Sequence, residues 1–181
     1  MSKADVPIYY WDSCMFYEVI GNESVPANKK TKVEEILLEN EQGNNYIITS
    51  VITHLEVLPS KLECKVTSGE EDYLALFDGI HFQDIEMNTN MITRAREIRD
   101  HYYVPALADG TGHKMMDLGD SIHLAVASIY GVTEFHTRDN DKRRAKLPLV
   151  DLYKFKNEDK LCGKYPLKIV SPESDQGGLD V

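Results

Sequence analysis

The stretch "DLGDSIHLAVASIYGVTEFHTRD", residues 117–139, decides the fold of this 181-residue chain, because it joins a buried helix to a strand. Its first part, residues 117–131, is apolar nearly all round, which favours a helix packed between other layers of the protein. Its last part, "TEFHTRD" at 133–139, predicts a short β-strand. A helix of this kind that leads into a strand is typical of α/β proteins.

Strands and helices alternate in the same way along the rest of the chain. Short apolar strands separated by helices indicate a mainly parallel sheet that is covered on both faces. We therefore predict an α/β fold, a three-layer α/β/α arrangement around a central, mainly parallel five-stranded sheet. The predicted strands are "VPIYYW" (6–11), "YIITS" (46–50), "HFQDIEM" (81–87), "TEFHTRD" (133–139) and "PLVDLY" (148–153), and the other predicted helices are 13–21, 31–42, 51–58 and 90–102.

The domain organisation follows from a change in composition near the C-terminus. We predict one domain over residues 1–154 and a C-terminal extension over residues 155–181, which is richer in Gly, Pro and charged residues. Within this extension, "PLKIV" (166–170) predicts an added edge strand. We expect the last ten residues to be mobile.

The overall charge and the cysteines narrow the class of protein. The formal net charge of −10 argues against a general nucleic-acid coat or a membrane-surface protein, although it does not exclude a nuclease. No apolar run reaches the roughly 20 residues that a membrane span requires. Three cysteines far apart in sequence suit reduced thiols better than a disulfide framework. We therefore expect a cytoplasmic protein without membrane contact.

Four acidic residues lie at or near the ends of the predicted strands. Asp12 ends the first strand, Glu56 lies just beyond the second, and Asp139 ends the fourth. Asp120 begins the buried helix that leads into the fourth strand. In a parallel sheet these acids converge at one edge, where carboxylates without a cation between them would repel one another. A hard divalent cation that prefers oxygen ligands, Mg²⁺ or Mn²⁺, makes such a cluster tolerable.

Other side chains beside these acids are candidates for supporting roles. The hydroxyls of Ser13 and Thr137 each neighbour a key acid in sequence, so they can orient a carboxylate or hold a metal-bound water. Asp141 follows Asp139 by two positions and competes with it for the fourth place. Asp117 lies three residues before Asp120 at the start of the buried helix. Asp117 and Asp120 can both serve simply as helix caps whose charges oppose the helix dipole. The local sequence does not decide between this capping role and a role in binding a ligand.

Three stretches, "IYYWDS", "TSVITHLEVL" and "GDSIHLAVASIYGVTEFHTRD", resemble in order the acidic motifs of PIN-domain ribonucleases, especially VapC-like toxins. The resemblance covers roughly residues 6–153. It implies a five-stranded parallel sheet between helices and a Mg²⁺- or Mn²⁺-dependent endoribonuclease. By matching position, it implies that the catalytic and metal-ligating residues are Asp12, Glu56, Asp120 and Asp139. It makes Asp117 a helix cap or a residue that supports the ligands.

The resemblance also sets expectations about substrate and partners. Basic side chains follow the fourth acid in "DKRRAK" (141–146), and they can hold an RNA backbone beside the site. The alternative is a solvated loop that balances nearby acids. The family implies a small antitoxin protein as partner and a homodimer, and neither follows from composition or spacing. The candidates for RNA binding are Lys142, Arg143 and Arg144, with Lys146 in the same run.

Other functions remain open at the level of sequence. One is a catalytically inactive PIN-like module that binds another protein, and another is a housekeeping RNA-processing nuclease. A phosphatase of the haloacid-dehalogenase type usually needs two aspartates at spacing two, where this chain has Asp12, Ser13 and Cys14. A receiver domain needs paired acids near the first strand and a late Lys-Pro, where this chain has "AKLPL" (145–149). The last two are the least favoured.

Overall fold

The computed structural model describes residues 6–20, 32–140 and 146–172. Within them, five parallel strands form one sheet in the order β3-β2-β1-β4-β5. Strand β1 lies at the centre, so the chain order reverses on either side of it, and ligands of open α/β sheets bind at such a point. The strands are β1 Ile8–Trp11, β2 Tyr46–Ser50, β3 Phe82–Ile85, β4 Glu134–His136 and β5 Ile169–Val170.

Eight α-helices connect and cover the strands in the described part of the chain. The longest are α6, Thr89–His101, and α7, Leu118–Tyr130, which pack closely against each other. Helix α7 ends at Gly131, whose positive φ of 61° is a backbone conformation that glycine adopts without strain. The others are α1 Ser13–Val19, α2 Lys32–Glu41, α3 Thr53–Glu56, α4 Pro59–Glu63, α5 Gly69–Ala75 and α8 Leu152–Lys156.

Two separate hydrophobic cores occupy the two faces of the sheet. Tyr10 and Ile48 point to the face covered by α6 and α7. Their neighbours Trp11 and Ile47 point to the opposite face, which α1 and α2 cover. Because successive side chains of a strand alternate between faces, each central strand contributes to both cores. The fold is therefore the predicted α/β/α arrangement, and its sheet is entirely parallel.

The predicted fifth strand, "PLVDLY" at 148–153, was wrong. Residues Leu149–Asp151 form a 3₁₀ turn that continues into α8. Pro148 has no backbone N–H that could bond to a neighbouring strand. The N–H groups of the next two residues bond to Asp139 instead: Leu149 N donates to its Oδ2 at 3.2 Å, and Val150 N donates to its backbone carbonyl at 3.2 Å. The fifth strand is instead β5, inside "PLKIV", and it pairs with β4.

The remaining predicted elements are present: β2 has its predicted bounds, α6 is shifted by one residue, and the others are shorter than predicted. The helix predicted over 31–42 spans Lys32–Glu41, and the buried helix predicted over 117–131 spans Leu118–Tyr130. The expected mobile tail falls largely on residues 173–181, which lie outside the described residues, and the domain boundary after residue 154 stays a prediction. In the described residues, no helix is both long and apolar enough to cross a membrane.

Candidate functional site

Asp12 follows β1 directly and has its side chain at the carboxyl end of the sheet. It is the N-cap residue of α1, where its Oδ1 accepts from Cys14 N at 3.2 Å, and the Cys14 thiol donates to the same oxygen at 2.6 Å. Only 5% of Asp12 is exposed. Burial raises the pKa of Asp12, while hydrogen bonds from Cys14 and Thr137 act in the opposite direction. Asp12 therefore places a buried carboxyl group at the carboxyl end of β1, where it also caps α1.

Glu56 is the last residue of α3, and a buried hydrogen-bond chain fixes its carboxylate. Its Oε2 lies 2.9 Å from His123 Nε2, and His123 Nδ1 lies 2.7 Å from the hydroxyl of Tyr10. A neutral His123 protonated on Nε2 donates to Glu56 and accepts from Tyr10, so both ring nitrogens are satisfied. Although burial raises the pKa of Glu56, hydrogen bonds from His123 and Ser13 leave it below its ordinary value.

Gly119 leaves room for the Glu56 carboxylate beside the first turn of α7. A Cβ added to Gly119 would lie 2.0 Å from Glu56 Oε1, which is far inside contact distance. The first turn of α7 therefore accepts Glu56 because position 119 has no side chain. Gly119 was not among the predicted site residues, although a glycine inside an otherwise good helix indicates a packing or functional reason.

Asp120 lies in the first turn of α7, with 17% of its side chain exposed. Among the described residues its buried Oδ2 accepts no hydrogen bond of good geometry, and it faces Lys146 Nζ at 3.3 Å. Burial raises the pKa of Asp120 to about 7; Lys146 opposes this, and the charges of Asp139 and Asp12 add to it. These electrostatic effects indicate that the carboxylates at positions 12, 120 and 139 lie near one another.

Lys146 lies between two of the candidate acids. Its Nζ is 3.3 Å from Asp120 Oδ2 and 3.2 Å from Asp139 Oδ1, and only 20% of its side chain is exposed. Burial lowers the pKa of Lys146, but Asp120 and Asp139 raise it above its ordinary value, so the ammonium ion is maintained. From the sequence, this basic run had two open interpretations, contact with an RNA backbone or a loop that balances nearby acids. For Lys146 the structure favours the second, because its charge lies between Asp120 and Asp139.

The predicted supporting residues fall in two groups. Ser13 lies near enough to Glu56 to lower the pKa of that carboxyl, and Thr137 Oγ1 accepts from Asp139 N at 2.9 Å, so both lie beside candidate acids. Asp117 is the N-cap of α7, and its Oδ1 accepts from Leu118 N at 2.9 Å. The remaining candidates, Asp141, Lys142, Arg143 and Arg144, lie outside the described residues.

The four candidate acids do not form a ready-made metal site. Within residues 6–20, 32–140 and 146–172, no group of three or more His, Cys, Asp or Glu side chains is arranged to hold a metal ion. The donors nevertheless have the chemistry of a hard-cation site, because they are carboxylate oxygens and Asp120 Oδ2 is buried without a hydrogen bond. Lys146 supplies positive charge at the same position. The donor chemistry is thus that of a hard-cation site, while in the described structure the Lys146 ammonium occupies the position between Asp120 and Asp139.

No protein-family model and no curated protein matches this chain. A similar solved structure belongs to a toxin–antitoxin complex from Klebsiella pneumoniae, with 19% identity and a TM-score of 0.47. The match covers 75% of this chain and 88% of that chain. A likeness of this degree assigns neither a family nor an activity.

Proposed function

We propose that this protein is a Mg²⁺- or Mn²⁺-dependent endoribonuclease that hydrolyses RNA phosphodiester bonds at the acidic cluster. The observation that carries the proposal is the state of Asp120. Its Oδ2 is buried, accepts no hydrogen bond of good geometry among the described residues and faces the Lys146 ammonium; burial raises its pKa to about 7, and the charges of Asp139 and Asp12 add to this effect. Buried carboxylates crowded at the carboxyl end of a parallel sheet are costly for folding unless a cation uses them. Such perturbed groups are frequent at functional sites.

The cation would be held by carboxylate oxygens of Asp12, Glu56, Asp120 and Asp139. Bound there, it would lower the pKa of a water molecule and polarise the scissile phosphate. His123 and Gly119 keep the Glu56 carboxylate in place, the first by a hydrogen bond of 2.9 Å and the second by leaving room for it. Cys14 holds Oδ1 of Asp12 through its backbone N–H and its thiol, which keeps that carboxylate at the carboxyl end of β1.

Lys146 gives the site a charge of its own near the reacting phosphate. In the described structure its ammonium balances Asp120 and Asp139. With a divalent cation bound by these acids, the Lys146 ammonium would lie beside the site, where it could contact a phosphate oxygen. Lysine is suited to this because its charge sits on a flexible four-carbon stem.

The biological setting within this proposal is that of a toxin with a small protein antitoxin. It is favoured by the order of the acidic motifs, which resembles that of VapC-like toxins. A housekeeping RNA-processing enzyme would use the same chemistry, and an inactive binding module would use the same fold. Activity on RNA separates the last of these from the first two.

The test is cleavage of a mixed RNA pool by the purified full-length protein with Mn²⁺, with Mg²⁺ and with EDTA. We expect cleavage with either metal, none with EDTA, and a loss of at least about a hundredfold in Asp12→Asn and in Asp120→Asn. The matched control is Asp100→Asn, which removes the same charge from an exposed position of α6. Its rate should equal that of the wild type.

Two results would contradict the proposal. Cleavage that persists in EDTA, or that survives in both site variants, would point to a contaminating nuclease. A folded wild-type protein that cleaves no RNA with either metal would favour the protein-binding module.

A further inference from the structure

Arg138 follows β4 by two residues and directly precedes the candidate ligand Asp139, and the proposed function does not use it. Its guanidinium is bonded inside the fold at all three nitrogens. Nε and Nη2 donate to the two carboxylate oxygens of Glu18 at 2.7 and 2.9 Å, and Nη1 donates to Ser171 Oγ at 2.8 Å. The side chains of Arg138 and Glu18 are only 29% and 22% exposed. A bidentate pair of this kind fixes geometry as well as charge.

The backbone of Arg138 bonds to the same helix as its side chain. Its N–H donates to Cys14 Sγ at 2.9 Å, while its guanidinium meets Glu18. Cys14 and Glu18 are four positions apart on α1, so they lie on one face of that helix, one turn apart. Two attachments a turn apart fix both the position of α1 and its rotation about its own axis relative to the end of β4.

Both sides of this connection are attached to candidate acids. The Cys14 thiol donates to Asp12 Oδ1 at 2.6 Å, and Asp12 is also the N-cap of α1. On the other side, Asp139 is the next residue after Arg138. A shift of α1 against β4 would therefore change the distance between the Asp12 and Asp139 carboxylates.

The backbone of the sheet holds these two segments together only weakly at this point. The bond from Asp12 N to the carbonyl of His136 is 3.4 Å long, whereas ordinary N–H···O bonds measure about 2.7–3.2 Å. The bonds that Arg138 makes to α1 are shorter, and its guanidinium is directed at Glu18. The geometry therefore favours a connection between α1 and β4 over a contact of Arg138 with substrate.

We propose that Arg138 is a positioning residue: through Glu18 and Cys14 it fixes α1 against β4, and so it sets the spacing of Asp12 and Asp139 for a divalent cation. These three residues, Arg138, Glu18 and Cys14, form the Arg138 clamp. The inference rests on the proposed function, because the spacing matters only where both acids serve one metal site. Mg²⁺ requires a near-ideal octahedron of oxygens about 2.0–2.1 Å away, whereas Ca²⁺ accepts irregular shells at about 2.3–2.6 Å. A fixed spacing therefore matters more for Mg²⁺ than for Ca²⁺.

The test is calorimetric titration of the full-length protein with Mn²⁺, followed by displacement of Mn²⁺ with Mg²⁺ and with Ca²⁺. The variants are Arg138→Gln and Glu18→Gln, which remove opposite charges from one ion pair. We expect each variant to weaken Mn²⁺ and Mg²⁺ binding at least about tenfold and Ca²⁺ binding by less than about threefold. A role through charge alone would give opposite signs, since losing the positive charge would favour a cation and losing the negative charge would disfavour it.

Arg94→Gln is the matched control on α6. The side chain of Arg94 is also partly buried, at 24% exposed; its Nη1 donates to Ser128 Oγ at 3.1 Å, and its Nε lies 3.7 Å from Glu97 Oε2. Neither partner is one of the four candidate acids. Urea unfolding in EDTA should show lower stability in Arg94→Gln and Arg138→Gln alike, whereas the affinity for Mn²⁺ should fall in Arg138→Gln and stay unchanged in Arg94→Gln.

Three results would overturn the inference: Mn²⁺ binding by Arg138→Gln as tight as by the wild type or tighter, an equal loss of Mg²⁺ and Ca²⁺ affinity, or an equal loss of Mn²⁺ affinity in Arg94→Gln. RNA cleavage, measured separately, tests the proposed function. Metal binding that depends on the Arg138 clamp without any cleavage would support the clamp and contradict the nuclease. Metal-dependent cleavage at the wild-type rate in both clamp variants would do the reverse.

Discussion

Gly119 and Glu56 lie so close that a Cβ on the glycine would be 2.0 Å from Glu56 Oε1. The contact joins the end of α3 to the first turn of α7, so two segments that are 63 positions apart meet at one carboxylate. His123 Nε2 holds the other oxygen of that carboxylate, Oε2, at 2.9 Å, so a methyl group at position 119 would have to displace Oε1. The absence of a side chain at position 119 is thus a condition for the site.

Gly119→Ala should therefore separate function from stability. Alanine favours a helix by up to about 1 kcal/mol over glycine, so the thermal midpoint should change little. The displaced Glu56 should lower metal-dependent cleavage at least about tenfold, because ligand geometry is lost. The measurements are RNA cleavage with Mn²⁺ and thermal unfolding, with the exposed neighbour changed in Leu118→Ala as control. Full activity in Gly119→Ala would show that Glu56 has no part in the reaction.

Tyr10→Phe tests the hydrogen-bond chain from Tyr10 through His123 to Glu56. The change leaves buried His123 Nδ1 without its partner, so the free energy of unfolding should fall by about 1–3 kcal/mol. Metal affinity should fall about tenfold, since the orientation of His123 sets that of Glu56. Calorimetric titration with Mn²⁺ measures the second effect.

Tyr153→Phe is the control for that prediction. It removes a hydroxyl that donates to the carbonyl of Leu167, far in sequence from the acids. Its stability should fall by a similar amount while its Mn²⁺ affinity stays unchanged. Equal metal affinities in the two variants would mean that Tyr10 acts on stability alone.

Lys146→Met should bind Mn²⁺ about tenfold more tightly than the wild type. The lysine ammonium competes with the cation for Asp120 and Asp139, and an ion pair near 4 Å is worth roughly 1–4 kcal/mol outside the deep interior. Lys154→Met removes the same charge without touching these acids and should change the affinity little. Weaker metal binding in Lys146→Met would instead make the lysine a stabiliser of the bound state.

Asp120→Asn should change how stability depends on pH. The pKa of Asp120 is about 7 in the folded protein, against an ordinary value near 4, so the folded state binds more protons than the unfolded state between these values. The wild type therefore loses stability as the pH rises from about 4 to about 7, by on the order of 1 kcal/mol per pH unit at most. The variant lacks this loss.

Urea unfolding in EDTA at several pH values measures the difference. The stability of Asp120→Asn relative to the wild type should rise up to about pH 7 and then level off. Adding Mn²⁺ at pH 8 should stabilise the wild type and leave the variant nearly unchanged. A constant difference between pH 4 and pH 8 would indicate that Asp120 has an ordinary pKa.

The local pattern of apolar and polar residues was sufficient to predict much of the fold. The sequence located β1, β2 and α7 within a few residues of their observed bounds. This was possible because the periodicity of a strand or helix depends only on residues that are close together in sequence. The failure at 148–153 has a distant cause. The N–H groups of that segment are taken by Asp139, and no local pattern reveals a bond to a residue ten positions away.

The sequence by itself determined that Asp12, Glu56, Asp120 and Asp139 are oxygen donors that follow or begin apolar elements. Only the tertiary structure decided what lies between them. It placed Lys146 between Asp120 and Asp139, set Gly119 against Glu56 and linked His123 to Tyr10. These contacts depend on the packing of α7 and the sheet, and the strength of a charge depends on its distance and burial, which a one-dimensional pattern does not contain.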